Sequence, residues 1–268
     1  MTSEMMIATR TRLITSPPRS ACISVIARAV VVRKGKASGV SNNVSSGIDL
    51  SDLAKTPNQV KYAKHLTDQR VELVIGQGPA GSGKTMIACA YAVRALLNKD
   101  IKKIIITRPT VGLDESIGYL PGTLEDKLAP WLIPVFDCFK QYVPLGKLQS
   151  LLKDDTIEIC PLAYIRGRTF HNSWIIADEV QNTTPNQMKT LLTRVGQNSK
   201  IVLTGDLQQC DMKQKNGLRD FIDKHNEHGK CILSAYPKDP IQMVTFEEAD
   251  VMRSNIVKHI LGIYNAEH

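Results

Sequence analysis

From about residue 47 onward, short apolar runs rich in β-branched residues alternate with longer stretches whose apolar positions recur at helical spacing. Val71-Glu-Leu-Val-Ile75, Lys103-Ile-Ile-Ile-Thr107, Thr156-Ile-Glu-Ile-Cys160, Ser173-Trp-Ile-Ile-Ala-Asp178 and Lys200-Ile-Val-Leu-Thr204 read as buried strands. Residues 50–68, 84–97, 123–142, 145–153 and 185–195 read as helical, with Thr56-Pro-Asn-Gln59 at a helix start. Strands that alternate with helices predict an α/β domain with a doubly wound, mostly parallel sheet flanked by helices. No apolar run approaches the length needed to span a bilayer as a helix, so no membrane partner is expected.

The segment between the first strand and the second helix changes the picture. Residues 78–85 read Gly-Pro-Ala-Gly-Ser-Gly-Lys-Thr, a complete G-x-x-x-x-G-K-[ST] phosphate-binding loop. Its setting, strand then loop then helix, is the one the motif needs. Glycines let the backbone wrap a phosphate with N–H groups pointing inward at a helix N-terminus. Gly78, Pro79, Ala80, Gly81, Ser82, Gly83, Lys84, Thr85 and Met86 are therefore the expected ATP contacts. Lys84 would reach the β- and γ-phosphates, and the Thr85 hydroxyl would hold Mg²⁺.

Trp174-Ile-Ile-Ala-Asp178-Glu179 has the form of a Walker B element, an apolar strand ending in two carboxylates. Asp178 would bind Mg²⁺ directly or through water, and Glu179 would act as general base toward the attacking water. After the next strand, Thr204-Gly-Asp206-Leu-Gln-Gln209 has the form G-D-x-x-Q, in which Asp206 or Gln209 would contact the catalytic water or the γ-phosphate. Gln59, 19 residues ahead of the loop, has an amide able to read an adenine edge, or is a helix surface residue. Arg166 and Arg168 precede the Walker B strand and suit a phosphate of nucleotide or nucleic acid, or solvent. Arg194 and Arg253 lie downstream and are the candidate arginine fingers.

Charge and cysteine content refine this without redirecting it. The net charge of +8 is concentrated in residues 1–46, where seven basic residues face a single acid, Glu4. The remaining chain carries only +2, so composition gives its core no case for nucleic-acid binding. The basic, Ser/Thr-rich segment 1–46 is expected to be a disordered tail, sequence upstream of the true start, or an organelle-targeting segment. Residues 47–268 are expected to form one domain. Six scattered cysteines without a C-x-x-C pair argue against a zinc site and suit a reducing, cytoplasmic setting.

Taken in order, Gly78–Thr85, Thr107-Arg-Pro109, Gly118-Tyr-Leu-Pro-Gly122, Arg166-Gly-Arg-Thr-Phe170, Asp178-Glu-Val-Gln-Asn-Thr-Thr184, Gln187-Met-Lys189, Leu192-Thr-Arg194, Thr204-Gly-Asp206 and Asp250-Val-Met-Arg253 resemble the PhoH-like proteins, named for induction on phosphate starvation. The resemblance covers roughly residues 50–264. It implies a P-loop NTPase with a single RecA-like domain, similar to the first domain of superfamily 1 helicases. Arg108, in the second motif, joins the arginines expected near phosphate or nucleic acid. The departures are Val180, where the family more often has alanine, and Leu207-Gln208, where proline or threonine is usual. The expected form is a compact protein without a fused RNA-binding or nuclease domain.

These readings favour an ATPase that uses ATP and Mg²⁺, with single-stranded RNA as a candidate partner. The alternative is a nucleotide-gated binding module with little turnover. A full helicase is disfavoured because translocation usually needs two RecA-like domains. A small-molecule kinase is disfavoured because Glu179 directly follows Asp178. One domain supplies half of a composite site, so a homo-oligomeric ring, such as a hexamer, is expected.

Overall fold

The computed structural model describes residues 48–109, 133–210, 216–229, 239–252 and 256. Six strands form one sheet: β1 (Leu73–Gln77), β2 (Lys103–Thr107), β3 (Ile157–Ile159), β4 (Ser173–Ala177), β5 (Lys200–Gly205) and β6 (Ile241–Thr245). They lie in the order β3-β2-β4-β5-β1-β6, and every neighbouring pair runs parallel. The helices are α1 (Pro57–Thr67), α2 (Lys84–Leu97), α3 (133–140), α4 (Leu145–Lys153), α5 (Pro185–Leu192) and α6 (Gly217–Lys224).

The period-2 alternation of the strands sorts their side chains into two apolar layers. Val74, Ile104, Ile106, Trp174, Ile176 and Val202 face one layer, which α1, α2, α3 and α4 cover with residues such as Tyr62, Ile87, Phe139 and Leu148. Leu73, Ile75, Ile105, Ile175, Ile201 and Leu203 face the other, closed by Met188 and Leu191 of α5 and Leu218 and Ile222 of α6. Burial on both faces explains why these strands read as continuous apolar runs.

Two helices begin with the same four residues. Thr56-Pro-Asn-Gln59 and Thr184-Pro-Asn-Gln187 both fold into capping boxes, with proline at the first helical position. The expected helix over 50–68 therefore starts at Pro57, and the one over 185–195 stops at Leu192. The first strand lies two residues later than the apolar run suggested, because Glu72 and Leu73 donate their N–H groups to Pro240 O before the ladder begins. Of the helix expected at 123–142, residues 133–140 are helical and 123–132 lie outside the described residues. The sequence pattern did not announce β6, a half-exposed edge strand, or the short α6. No helix among the described residues is long and apolar enough to cross a membrane.

The order places β5 between β1, which leads into the 78–85 loop, and β4, which leads into Asp178. All three strands release their chains at the same carboxyl edge, where open α/β sheets bind ligands.

Candidate nucleotide site

Three segments meet at that edge. Gly78 N–H donates to Gly205 O at 3.1 Å, fastening the start of the phosphate loop to the end of β5. Gly78 has φ +135°, and a Cβ there would stand 2.3 Å from Phe246 O, so only glycine fits. Gly81 and Gly83 also have positive φ, and α2 starts at Gly83 without a side-chain cap. The first N–H groups of a helix have no intrahelical acceptor, an arrangement suited to an anion. Lys84 is buried, and its ammonium donates to Gly78 O (2.6 Å), Pro79 O (2.8 Å) and Ser82 Oγ (3.2 Å). Pro79 and Ala80 line the half-exposed outer turn, and Met86 packs on the apolar layer below.

The Thr85 hydroxyl donates to Asp178 Oδ1 at 2.8 Å, and the Thr204 hydroxyl donates to the same oxygen at 2.5 Å. Asp178 N–H donates to Thr107 O. One buried carboxylate thus links the phosphate loop, β4 and the intervening strand β5. Hydroxyl and carboxylate oxygens are the ligands a hard cation takes, so Thr85 and Asp178 fit Mg²⁺.

Glu179 adopts a left-handed backbone, φ 55° and ψ 37°, which is uncommon for a glutamate. Its carboxylate accepts from Gln181 Nε2 at 2.6 Å and lies 3.8 Å from the Arg108 guanidinium. Gln181, 1% exposed, is the residue to which the sequence reading gave no role. Its Oε1 accepts from Asp206 N–H (3.2 Å), and its Nε2 also reaches Gln209 O (3.4 Å). Gly205 permits this, since a Cβ there would come within 2.9 Å of Gln181 Oε1. A single amide therefore joins Glu179 to the turn carrying Asp206 and Gln209. The signal available in sequence was a glutamine two positions after the carboxylate pair. Asp206 is buried and accepts from Gln208 N–H, while Gln209 is exposed.

A second unanticipated support comes from the chain after β6. Phe246 N–H donates to Gln77 O and Met252 N–H to Gly81 O. Between them Asp250, 2% exposed, accepts from the Thr56 hydroxyl, Asn58 Nδ2 (2.8 Å) and Glu247 N–H (2.8 Å). Burial alone would raise the Asp250 carboxyl, but these hydrogen bonds outweigh it and hold the group below its ordinary value.

The other candidate residues sit in contacts of their own. Gln59, expected at an adenine edge, is 2% exposed. Its Oε1 accepts from Lys55 and Thr56 N–H at the start of α1, and its Nε2 donates to Ser82 O at 3.0 Å, so the amide ties that helix start to the phosphate loop. Arg168 forms a two-pronged pair with Glu158 (2.6 and 2.9 Å) and lies over the Phe170 ring, so it is held as a structural group. Burial would raise Glu158, yet Arg168 and Lys103 together hold its carboxyl below the usual range. Arg194 donates to Thr190 O, Arg168 O and Thr193 Oγ1. Its own carbonyl accepts from Phe170 N–H, beside the amino end of β4. Asp178 lies past the carboxyl end of that strand, about 17 Å away for five residues. Arg194 therefore does not reach the phosphate site of its own chain. Arg166 is exposed. Arg253 lies outside the described residues.

A glycine-rich loop closing on a strand-end carboxylate, with one strand inserted between them, defines a nucleotide-binding P-loop protein with a RecA-like α/β sheet. Residues 53–265 match the family model described as PhoH, PhoH-like protein, and the chain belongs to that family. It is 42% identical over 214 residues to a PhoH-like protein of Bacillus subtilis, covering 80% of this chain and 64% of that one. It is 36% identical over 217 residues to Protein PhoH of Escherichia coli K12, covering 80% and 58%. The chain thus spans less than two thirds of the length of these relatives. Among solved structures, the HK97 bacteriophage large terminase aligns with a TM-score of 0.48 at 14% identity, covering 93% of this chain and 52% of that one.

Proposed function

We propose that the protein is an ATPase that converts ATP and water to ADP and phosphate, with turnover coupled to single-stranded RNA. The observation that carries the first half is the Thr85–Asp178 hydrogen bond, which sets the loop hydroxyl and the strand-end carboxylate at one point, with Glu179 next in the chain. Mg²⁺, when bound, neutralises charge on the β- and γ-phosphates. Lys84 exchanges the loop carbonyls for phosphate oxygens. Glu179 accepts a proton from water as its oxygen bonds to the γ-phosphorus and the bond to the bridging oxygen breaks, leaving its electron pair on ADP. Gln181 holds the Glu179 carboxylate and, through Asp206 N–H, ties it to the 206–209 turn.

One observation favours the second reading, a nucleotide-gated binding module. Glu179 is occupied by Gln181 and neighboured by Arg108, and Lys84 is engaged by its own loop. Basal turnover should then be slow until a partner rearranges these contacts. The RNA half rests on the likeness to the first domain of superfamily 1 helicases. ATP turnover measured with single-stranded RNA, single-stranded DNA and no nucleic acid separates the readings. RNA stimulation supports coupling, whereas equal slow rates in all three support the module.

The site coats one side of a γ-phosphate, which favours a homo-oligomeric ring in which a neighbour supplies an arginine. The location of Arg194 allows it such a role only between chains. Mixing Arg194→Ala or Arg253→Ala chains with Lys84→Ala chains should restore activity if either arginine acts across an interface. Flat activity per chain from nanomolar to micromolar protein, with no rescue, rules the ring out.

A further inference from the structure

The amino edge of the sheet, opposite the nucleotide site, holds a cavity of about 610 Å³ between the last turns of α1 and α2 and the starts of β4 and β5. That volume falls within the range of small-molecule sites. Its buried floor is rich in donors. Lys200 is 9% exposed, and its ammonium spends two of three N–H groups on His65 O (3.1 Å) and Asp68 O (2.8 Å). It lies 5.7 Å from the centre of the Trp174 ring. Trp174 is 5% exposed, yet its indole N–H finds no partner among the described residues. Buried indole N–H groups nearly always have one. The Arg94 guanidinium lines the same cavity, stacked 4.4 Å over Tyr91. The mouth is of opposite character, since Glu72 and Asp100 line it and are exposed.

A donor floor asks for an anionic acceptor, and carboxylates at the mouth ask for a cationic donor. They also repel a dianion such as phosphate. We propose that the cavity binds an amino-acid-like zwitterion, its carboxylate on Lys200 and Arg94 beside the Trp174 ring and its ammonium toward Glu72 and Asp100. Three elements run from this cavity to the nucleotide site: α2 begins at Lys84, β4 leads to Asp178 and β5 leads to Asp206. A ligand here would thus act on elements that also carry the phosphate-loop lysine and the Walker B carboxylate.

The test is a fluorescence titration of the full chain carrying Trp131→Phe, which leaves Trp174 as the reporter. The probes are glycine, β-alanine, γ-aminobutyrate, acetate, ethylamine and inorganic phosphate. The expected result is a saturable change with at least one zwitterion at a millimolar midpoint, with acetate and phosphate roughly fivefold weaker or more, about the worth of one exposed ion pair. Ethylamine should give no signal. Lys200→Met should remove the response. Because that change could also loosen the end of α1, Glu72→Gln at the exposed mouth is the second variant, and it should weaken the zwitterion while leaving acetate unaffected. The proposal is overturned by any of three results: no saturable response to a zwitterion up to about 100 mM, below the weakest affinity such sites usefully show; phosphate binding as tightly as the zwitterion; or neither variant changing the midpoint.

Discussion

The two edges of the sheet use the left-handed backbone in different ways. Lys99, Asp155, Asn172 and Asn198 all have positive φ, and each lies shortly before a strand, in the tight turns of the amino edge. Three of the four are Asn or Asp, which tolerate this conformation because their short side chains bond locally. At the carboxyl edge the only described non-glycine residue of this kind is Glu179. Turn-making does not account for a glutamate there. Its backbone aims a carboxylate that Gln181 then fixes. Backbone strain of this kind is a mark of functional sites. At the amino edge the left-handed backbone reverses the chain, and at the carboxyl edge it places charge.

The largest effect that sharpens this contrast is expected at Lys84. Lys84→Ala removes the cation that would meet the β- and γ-phosphates, and turnover should fall by about 10²–10³ or more, as for loss of a preorganised donor. A steady-state ATPase assay checks it. Normal turnover in that variant would mean that the loop does not handle phosphate.

Next is Gln181→Leu. The substitution keeps volume but frees Glu179 from the 206–209 turn, so kcat should drop roughly 10–100-fold, the scale of a small misplacement, with KM for ATP nearly unchanged. A change confined to KM would show that Gln181 serves binding.

Asp250→Ala tests the brace behind the phosphate loop. It strands the Thr56 hydroxyl, Asn58 amide and Glu247 N–H, and should cost about 1–3 kcal/mol of unfolding free energy, measured by urea titration. Because the native carboxyl is held below its ordinary value, its stabilisation is present above the unfolded pKa and is lost as pH falls through the folded one. The stability gap between wild type and variant should therefore narrow in acid.

At the amino edge the smallest effect runs in the same direction with pH but from the opposite cause, since folding disfavours the charged form of Lys200 rather than favouring it. Burial lowers the Lys200 ammonium from 10.5 to about 8, with Asp68 and Glu72 opposing the shift. Between those values the native state holds fewer protons than the unfolded chain, so wild type should gain stability relative to Lys200→Met as pH rises from 8 to 10. Parallel melting curves for the two proteins across that range would contradict the buried charge.

Much of the carboxyl edge was legible because phosphate chemistry constrains consecutive residues. Gly78–Thr85 and Asp178–Glu179 each carry their signal within one short stretch. The strands were legible because burial on both faces leaves continuous apolar runs. The repeated Thr-Pro-Asn-Gln tetrapeptide shows where legibility ends. Both copies cap a helix, as local chemistry dictates. Only the first also binds Asp250, 192–194 residues away, and the phosphate loop at Ser82. The same limit hid Gln181, whose importance lies in a turn 25 residues downstream. It also hid the settings of the arginines, since residue type gave no sign that Arg168 pairs with Glu158 or that Arg194 sits at the far edge.

Adjacent carboxylates are expected to divide the work, Asp178 toward metal and Glu179 toward water. The most direct measurement is ATP affinity beside single-turnover hydrolysis in Glu179→Gln. Affinity should stay within about twofold of wild type while the rate falls by roughly 10²–10⁴, the usual worth of a positioned base. Affinity and rate falling together by the same factor would contradict it, and would make Glu179 a ligand or a structural residue.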